Sequence, residues 1–220
     1  MKVDVKKIKK SMKEFYSSSK PYLAQLKKHD ISVYSKYLNK ILQMAPKGAK
    51  ILDLGSGAGQ VANFLSTKGY VVTGVDISPL FVREANKAKK AKFRVMDVTH
   101  LDFPKNSFDV VISAETIEHV LEPRKMLFEI NKVLRPRGLL FLRYPNRQNK
   151  LKQLLTLITK KTRFEITRPN LSKNVFGNDE DLCHKVSTAD ILVVLRNNHY
   201  KILETKPFFW RAGLIIARKP

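Results

Sequence analysis

Apolar positions recur at three- and four-residue spacing through residues 2–44, where Tyr34, Leu38, Ile41 and Leu42 mark one face. This spacing predicts a lead-in helix or helix pair ending before Pro46-Lys47-Gly48. The pattern then changes. Ile51-Leu52-Asp53-Leu54 is a short apolar run of strand type, followed by a glycine-rich turn and a helix over 61–67. Val71-Val72-Thr73-Gly74-Val75 reads as a second strand, Pro79 opens a helix in its first turn, and 92–96 and 108–113 read as third and fourth strands. A helix over 124–134 is expected to stop at Arg135-Pro136-Arg137-Gly138, and a fifth strand over 139–144 to break at Pro145.

Strand and helix alternate regularly, and the strands are of the buried kind. That order predicts an α/β fold, a largely parallel sheet with helices on both faces joined by right-handed crossovers. The alternation is interrupted after the fifth strand: 148–161 has the pattern of a basic amphipathic helix, and 162–181 has little periodicity. A helix over 187–197 and strands over 201–205 and 213–217 then resume it. The expected organisation is a basic helical lead-in over 1–47 and one domain over 48–220, with 148–181 as an insertion that forms a lid or acceptor wall.

Charge adds a second theme. The formal net charge is +23, from 42 Lys and Arg against 19 Asp and Glu. Residues 1–50 carry 13 Lys against Asp4, Glu14 and Asp30; residues 143–175 carry nine Lys or Arg against Glu165 alone. These basic segments flank the core and suit an anionic partner, whether nucleic acid, a phosphorylated substrate or an anionic membrane surface; a Lys-rich solvated face accounts for them equally well. No stretch approaches the ~20 apolar residues of a membrane span, and the N-terminus lacks the apolar core of a signal peptide, so a cytoplasmic protein is expected. One cysteine, Cys183, permits neither an internal disulfide nor a multi-cysteine metal cage and is expected to be inert.

The chemistry concentrates at the strand ends. Asp53-Leu54-Gly55-Ser56-Gly57-Ala58-Gly59 lies at the carboxyl end of the first strand, where open α/β sheets bind ligands. Its spacing is G-x-G-x-G. A dinucleotide fingerprint, G-x-G-x-x-G/A, would need Gly or Ala where Gln60 stands. Asp76 ends the second strand before Ile77, and a carboxylate there can accept hydrogen bonds from both hydroxyls of a ribose. Asp97 ends the third, where it can accept from an exocyclic adenine amine beside the Val98 N–H. Turns and caps account for any one of these carboxylates, but poorly for three at successive strand ends.

With these motifs the sequence resembles the class I S-adenosylmethionine-dependent methyltransferases, in particular the small-molecule group similar to ubiquinone-biosynthesis O-methyltransferases. The resemblance covers about 49–146, with a weaker echo over 183–217. It implies a Rossmann-like seven-stranded sheet, order 3-2-1-4-5-7-6, with the last strand antiparallel. It also implies that Asp53, Gly55 and Gly57 surround the methionine part of the cofactor, that Asp76 with Ile77 holds the ribose and Asp97 with Val98 the adenine, and that Ala114 borders the crevice.

Methyl transfer from a sulfonium is an in-line displacement with an activated leaving group, so it needs positioning and exclusion of water more than a nucleophile. A base helps a hydroxyl acceptor. After the fourth strand, Glu115, Glu118 and His119 stand at i, i+3, i+4 and would share one face of a helix. Either His119 is a general base, or the trio binds a divalent cation; the resemblance implies a magnesium site for such an E-x-x-E-H run, and capping by Glu115 is the structural alternative. His184, before a helix capped by Ser187, is a second candidate for the acceptor pocket, with a surface loop as its alternative. Tyr16, Tyr22, Tyr144 and Asn146 are candidates to close that pocket, or to pack.

The acceptor is the open question, because fold and cofactor site serve many substrates. A small-molecule acceptor is preferred. Leu151-Lys152-Gln153-Leu154-Leu155-Thr156-Leu157-Ile158 could also rest on an anionic membrane and admit a lipid-like substrate. RNA methylation is the rival suggested by charge, but Ala114-Glu115-Thr116-Ile117 is not the D/N-P-P-Y/F/W sequence that holds a flipped base, and no Pro-Cys pair is present. A non-catalytic cofactor-binding partner protein is the third reading. Oligomeric state is not legible.

Overall fold

The computed structural model describes residues 4–146, 149–166, 169–171, 181, 183–206 and 212–220. Its centre is β1 (Lys50–Leu54), flanked in parallel by β2 (Val71–Asp76) and β4 (Phe108–Ala114), with β3 (Lys92–Val95) outside β2 and β5 (Leu134–Pro145) parallel to β4. A two-stranded ladder, β6 (Glu165–Ile166) with β7 (His184–Lys185), stands apart. The last two strands, β8 (Lys201–Thr205) and β9 (Ala212–Arg218), complete the main sheet, whose order is β3-β2-β1-β4-β5-β9-β8. Counted within that sheet, the order is 3-2-1-4-5-7-6, and β9 runs antiparallel to both neighbours. This is the topology that the resemblance implies.

Successive strand residues face opposite sides, so two cores result. On one face Leu52, Leu54, Val111, Leu140 and Ile215 pack with Met126 and Ile130 of α6 (Pro123–Val133) and Ile191 and Leu195 of α8 (Thr188–Asn197). On the other, Ile51, Val110, Ile112 and Phe141 meet Ile41 of α3 (Ser35–Met44), Leu65 of α4 (Gln60–Thr67) and Val82 of α5 (Pro79–Ala85). The expected lead-in is three helices: α1 (Val5–Ser18), α2 (Lys20–Lys28) and α3. Pro21 in the first turn of α2 sets the break after Ser19. Because Tyr37, Leu38 and Ile41 of α3 are buried against the sheet, the chain before Pro46 is part of the core.

The fifth strand differs from its expectation. It begins at Leu134, which pairs with Phe108, and runs through Arg135-Pro136-Arg137-Gly138 across an irregularity in register. Arg137 absorbs the bend at φ +62°, so the apparent stop signal is a kink inside a strand. Of the expected insertion, residues 148, 167–168 and 172–180 lie outside the described residues; its helix is α7 (Lys150–Thr159).

Where β5 meets β9, Tyr144 pairs with Gly213 and is fully buried, its hydroxyl 3.0 Å from that of Thr188. A Cβ on Gly213 would stand 2.2 Å from the Tyr144 ring. Gly213→Ala is therefore expected to cost about 2 kcal/mol, or roughly 4–8 °C in melting temperature for a chain of this size. A thermal melt within 1 °C of the parent, roughly the spread of a neutral surface change, would mean that the two strands part without loss.

Candidate active site

The turn after β1 is shaped by glycines whose backbone other residues resist. Gly55, Gly57 and Gly59 have φ of +70°, +52° and +82°, a region L side chains enter at a cost. The N–H groups of Gly55 and Ser56 donate to Val75 O at 2.9 and 3.0 Å. Asp76, at the end of β2, accepts from Gly57 N at 2.9 Å and from Ser78 N at 2.9 Å, so one buried carboxylate ties the turn to the neighbouring strand. A Cβ on Gly55 would lie 2.3 Å from the Thr116 hydroxyl, which itself donates to Leu54 O at 3.1 Å.

Around this turn lies a crevice enclosing about 1180 Å³ of empty space, its mouth included. All eight residues expected at a cofactor line it: Asp53, Gly55, Gly57, Asp76, Ile77, Asp97, Val98 and Ala114. The three carboxylates stand in different electrostatic states. Asp53 is 4% exposed, and among the described residues no donor is bonded to its carboxylate. Burial, and then the charge of Asp76, push it up to about 7. Asp76 is also raised by burial, which its backbone N–H donors oppose. For Asp97 burial is outweighed by the Thr99 N–H and hydroxyl and by Lys9, and its pKa lies below the usual range.

Helices α1 and α2 cover the crevice. Lys9, Met12 and Tyr16 of α1 and Tyr22 and Leu26 of α2 line it. Lys9 Nζ reaches Thr99 Oγ1 at 2.7 Å, Glu122 at 2.9 Å and Asp97 at 3.2 Å, clipping α1 across the end of β3. Tyr16 packs edge-on against Tyr22 and Phe15, and Tyr22 stacks on Phe81.

At the other end stands His119. Its Nδ1 lies 3.2 Å from the Asp181 carbonyl and 3.4 Å from its carboxylate. Both are acceptors, which favours a proton on Nδ1, and Nε2 lies 3.8 Å from Glu118 Oε1. The Asp181 carboxylate also accepts from the hydroxyls of Tyr16 at 2.6 Å and Tyr22 at 3.4 Å.

Two expectations are corrected here. Glu115, Glu118 and His119 do not share a helix face: a short 3-10 helix spans only Ile117–His119, and Glu115 precedes it at φ +51°, paired with Arg143. Glu118 is 1% exposed, and burial followed by the Glu115 charge pushes its pKa well up. The three side chains still lie near one another, Glu118 hydrogen-bonding Glu115 and standing 3.8 Å from His119 Nε2, while among the described residues no group of three or more His, Cys, Asp or Glu is placed so that it could hold a metal ion. His184 is buried outside the crevice: alternation along β7 turns it toward Phe164, while Cys183 packs with Met12 and Tyr16. Tyr16 and Tyr22 close the crevice; Tyr144 and Asn146 do not line it. Burial raises the Cys183 thiol to about 12, as suits an inert residue.

Sequence reasoning missed Lys9, Thr99 and Asp181. Lys9 had a signal, since it shares an α1 face with Met12 and Tyr16. Asp181 had none, lying 62 residues from His119 in a stretch without periodicity.

The methyltransferase-domain family matches residues 52–142, the span that supplies all eight expected cofactor residues and His119. That span is a methyltransferase domain. It is similar to the ubiquinone biosynthesis O-methyltransferase of Coxiella burnetii, 32% identical over 120 residues, 52% of this chain and 50% of that protein. To the 2-methyl-6-phytyl-1,4-hydroquinone methyltransferase of Synechocystis it is 38% identical over 104 residues, 45% of this chain and 33% of that one. The chain thus spans half or less of the length of these relatives. Among solved structures, a SAM-dependent methyltransferase from Methanosarcina mazei superposes with a TM-score of 0.63 at 25% identity, covering 82% of this chain and 96% of its own. The 4+2 cyclase SpnF superposes with 0.65 at 17% identity, covering 84% and 81%, a likeness of fold alone.

The raised Asp53 pKa makes a signed prediction for the methyltransferase domain. Its carboxyl titrates near ~3.9 in the unfolded chain and near 7 in the fold. The folded state therefore holds the proton longer, and the cost of ionising Asp53 grows as pH rises from ~4 and is complete above ~7. Asp53→Asn should raise the melting temperature of ligand-free protein at pH 8 and leave it near the parent at pH 4. Equal melting at pH 8 would show that Asp53 is solvated.

Proposed function

We propose that the chain transfers a methyl group from S-adenosylmethionine to a small-molecule acceptor, with His119 as the base. The observation that carries this reading is Asp53: a desolvated carboxylate facing a crevice without a protein donor, beside a glycine turn and two further strand-end carboxylates. The residues fit the cofactor. Asp53 faces its cationic methionine end, Asp76 retains lone pairs for ribose hydroxyls, and Asp97 accepts the adenine amine when it shares or releases Lys9. Ile77, Met96 and Val98 supply apolar walls. Bound there, S-adenosylmethionine supplies a methyl group activated by its sulfonium.

The chain's own part is positioning and proton transfer. Asp181 fixes the His119 ring and its tautomer; Nε2 takes the proton of an acceptor hydroxyl and later releases it to water. Tyr16 and Tyr22 hold Asp181 in place from the covering helices, so the base is aligned when the cover is closed. Closure also excludes water from the displacement. The quinone-type acceptors in the relatives' names suggest a phenolic hydroxyl as the acceptor class. RNA is the less favoured acceptor, because Ala114-Glu115-Thr116-Ile117 after β4 is not the sequence that holds a flipped base.

Calorimetric titration with S-adenosylhomocysteine, NAD serving as control, tests the cofactor. Micromolar affinity for the former alone is expected, about −8 kcal/mol, weakened at least ~10-fold by Asp76→Ala. Binding of NAD alone, or of neither ligand, would overturn the reading. With a phenolic acceptor, His119→Ala should lower kcat by roughly 10²–10⁴. Asp181→Asn should lower kcat and change its pH profile while KM holds; an unchanged profile would reduce Asp181 to a structural role.

A further inference from the structure

Helix α1 is held differently at its two ends. Toward the carboxyl end it is anchored by apolar packing: Met12, Phe15 and Tyr16 join Tyr22, Phe81 and Leu121 in a small cluster separate from the two cores of the sheet. The Tyr16 carbonyl also accepts from the Ser78 hydroxyl at 2.8 Å. Ser19 then breaks the chain between α1 and α2, with φ −79° and ψ 73° outside the helical region. Toward the amino end the grip is thin. Val5 and Ile8 are its half-buried apolar residues. Among the described residues before Met12, only Lys9 makes a side-chain hydrogen bond or ion pair to another element.

What Lys9 holds is the carboxylate that an adenine amine needs. Asp97 Oδ1 accepts from the Thr99 N–H and hydroxyl, at 2.8 and 2.7 Å, which fills its two lone pairs. Asp97 Oδ2 takes the Lys9 ammonium at 3.2 Å. A ligand amine therefore has to share Oδ2 with Lys9 or displace it. Glu122, at the start of α6, offers the ammonium a second carboxylate at 2.9 Å, and Thr99 Oγ1 a third partner at 2.7 Å. Displacement thus costs Lys9 one partner of three. Burial pulls the Lys9 pKa down, but Glu122 and Asp97 together raise it above its usual value, so the ammonium stays charged.

We infer that Lys9 is a latch on cofactor exchange: it pins the free end of α1 across the adenine end of the crevice and yields Asp97 Oδ2 when the ligand's amine arrives. The inference rests on the S-adenosylmethionine reading of the crevice. With Lys9 released, α1 turns about the break at Ser19, a position at the end of an element as hinges commonly are, and uncovers Asp97 and Val98. Glu122 keeps the ammonium once the ligand is seated, so the cover closes over a filled crevice as well as an empty one. Lid opening and product release limit turnover in many enzymes, and Lys9 places that step under electrostatic control.

Hydrogen exchange of the ligand-free full chain reads the latch without any cofactor. Lys9→Met should raise amide exchange over residues 8–12 about tenfold, the worth of hydrogen bonds to charged partners, while the melting temperature holds. Added salt should speed this exchange in the parent and not in the variant, and Lys9→Arg should restore the slow exchange. Labelled S-adenosylhomocysteine, chased with unlabelled ligand, reads the crevice. Association and dissociation should both quicken about tenfold in Lys9→Met, with Kd moving by less than either rate. Glu122→Gln should quicken dissociation in the parent and add nothing in Lys9→Met. Unchanged amide exchange in Lys9→Met would overturn the latch. So would tighter ligand binding at unchanged amide exchange, which would make Lys9 only a competitor for Asp97. If no chain binds S-adenosylhomocysteine while Lys9→Met still exchanges faster, the cofactor reading falls and the hold on α1 stands.

Discussion

Asp76 accepts from two backbone N–H groups at once, one on its own strand's end and one in the glycine turn after β1. Each bond to an ionised oxygen is of the stronger kind, and together they fix how far β1's turn stands from β2's end. Thr116 reaches the same turn from the far side and bonds Leu54 O, so the crevice floor is held from three strand ends. The glycines are consequences: with the turn drawn this close, Gly55 has no room for a Cβ. Burying Asp76 beside Asp53 then forces the unfavourable Asp53 environment. A destabilised carboxylate facing a cavity is what a binding site looks like before its ligand arrives.

The covering helices respond to the same charges. Much of the lead-in's positive charge points to solvent, but Lys9 is drawn to Asp97, Thr99 and Glu122, and Lys27 to Glu84. At the opposite end the hydroxyls of Tyr16 and Tyr22 meet Asp181. The cover is thus pinned by an ion pair over one end of the crevice and by a buried carboxylate over the other. The Asp181 contact ties the position of the cover to the orientation of His119.

The crevice was legible because strand ends are legible: Asp53, Asp76 and Asp97 each follow an apolar run, and a parallel sheet brings such ends together whatever lies between. Local geometry was less so. The i, i+3, i+4 spacing of Glu115, Glu118 and His119 implies a shared face only in a continuous helix, and the chain leaves β4 through a left-handed residue and a single 3-10 turn. His184 was misplaced by the parity of a two-residue strand. Asp181 is a tertiary fact without a sequence period. The apolar row of α7 was visible, but its direction depended on which face meets α8, and the buried Gln153 and Thr156 decide that.

Fold similarity does not by itself fix chemistry, as the superposition of a 4+2 cyclase makes plain. Charge within the crevice discriminates further. Although the chain carries +23, among the described residues the crevice is lined by Asp53, Asp76, Asp97 and Glu115 against Lys9 alone of the permanent cations. Such walls repel a pyrophosphate, and the glycine turn lacks the third small residue that a dinucleotide site uses to bring helix and strand together. The same walls attract a ligand with a sulfonium and an ammonium. A low-dielectric crevice strengthens that preference beyond what the same charges would give in water. Acidity inside a basic protein is therefore the physical reason to read this glycine turn as a seat for a cation.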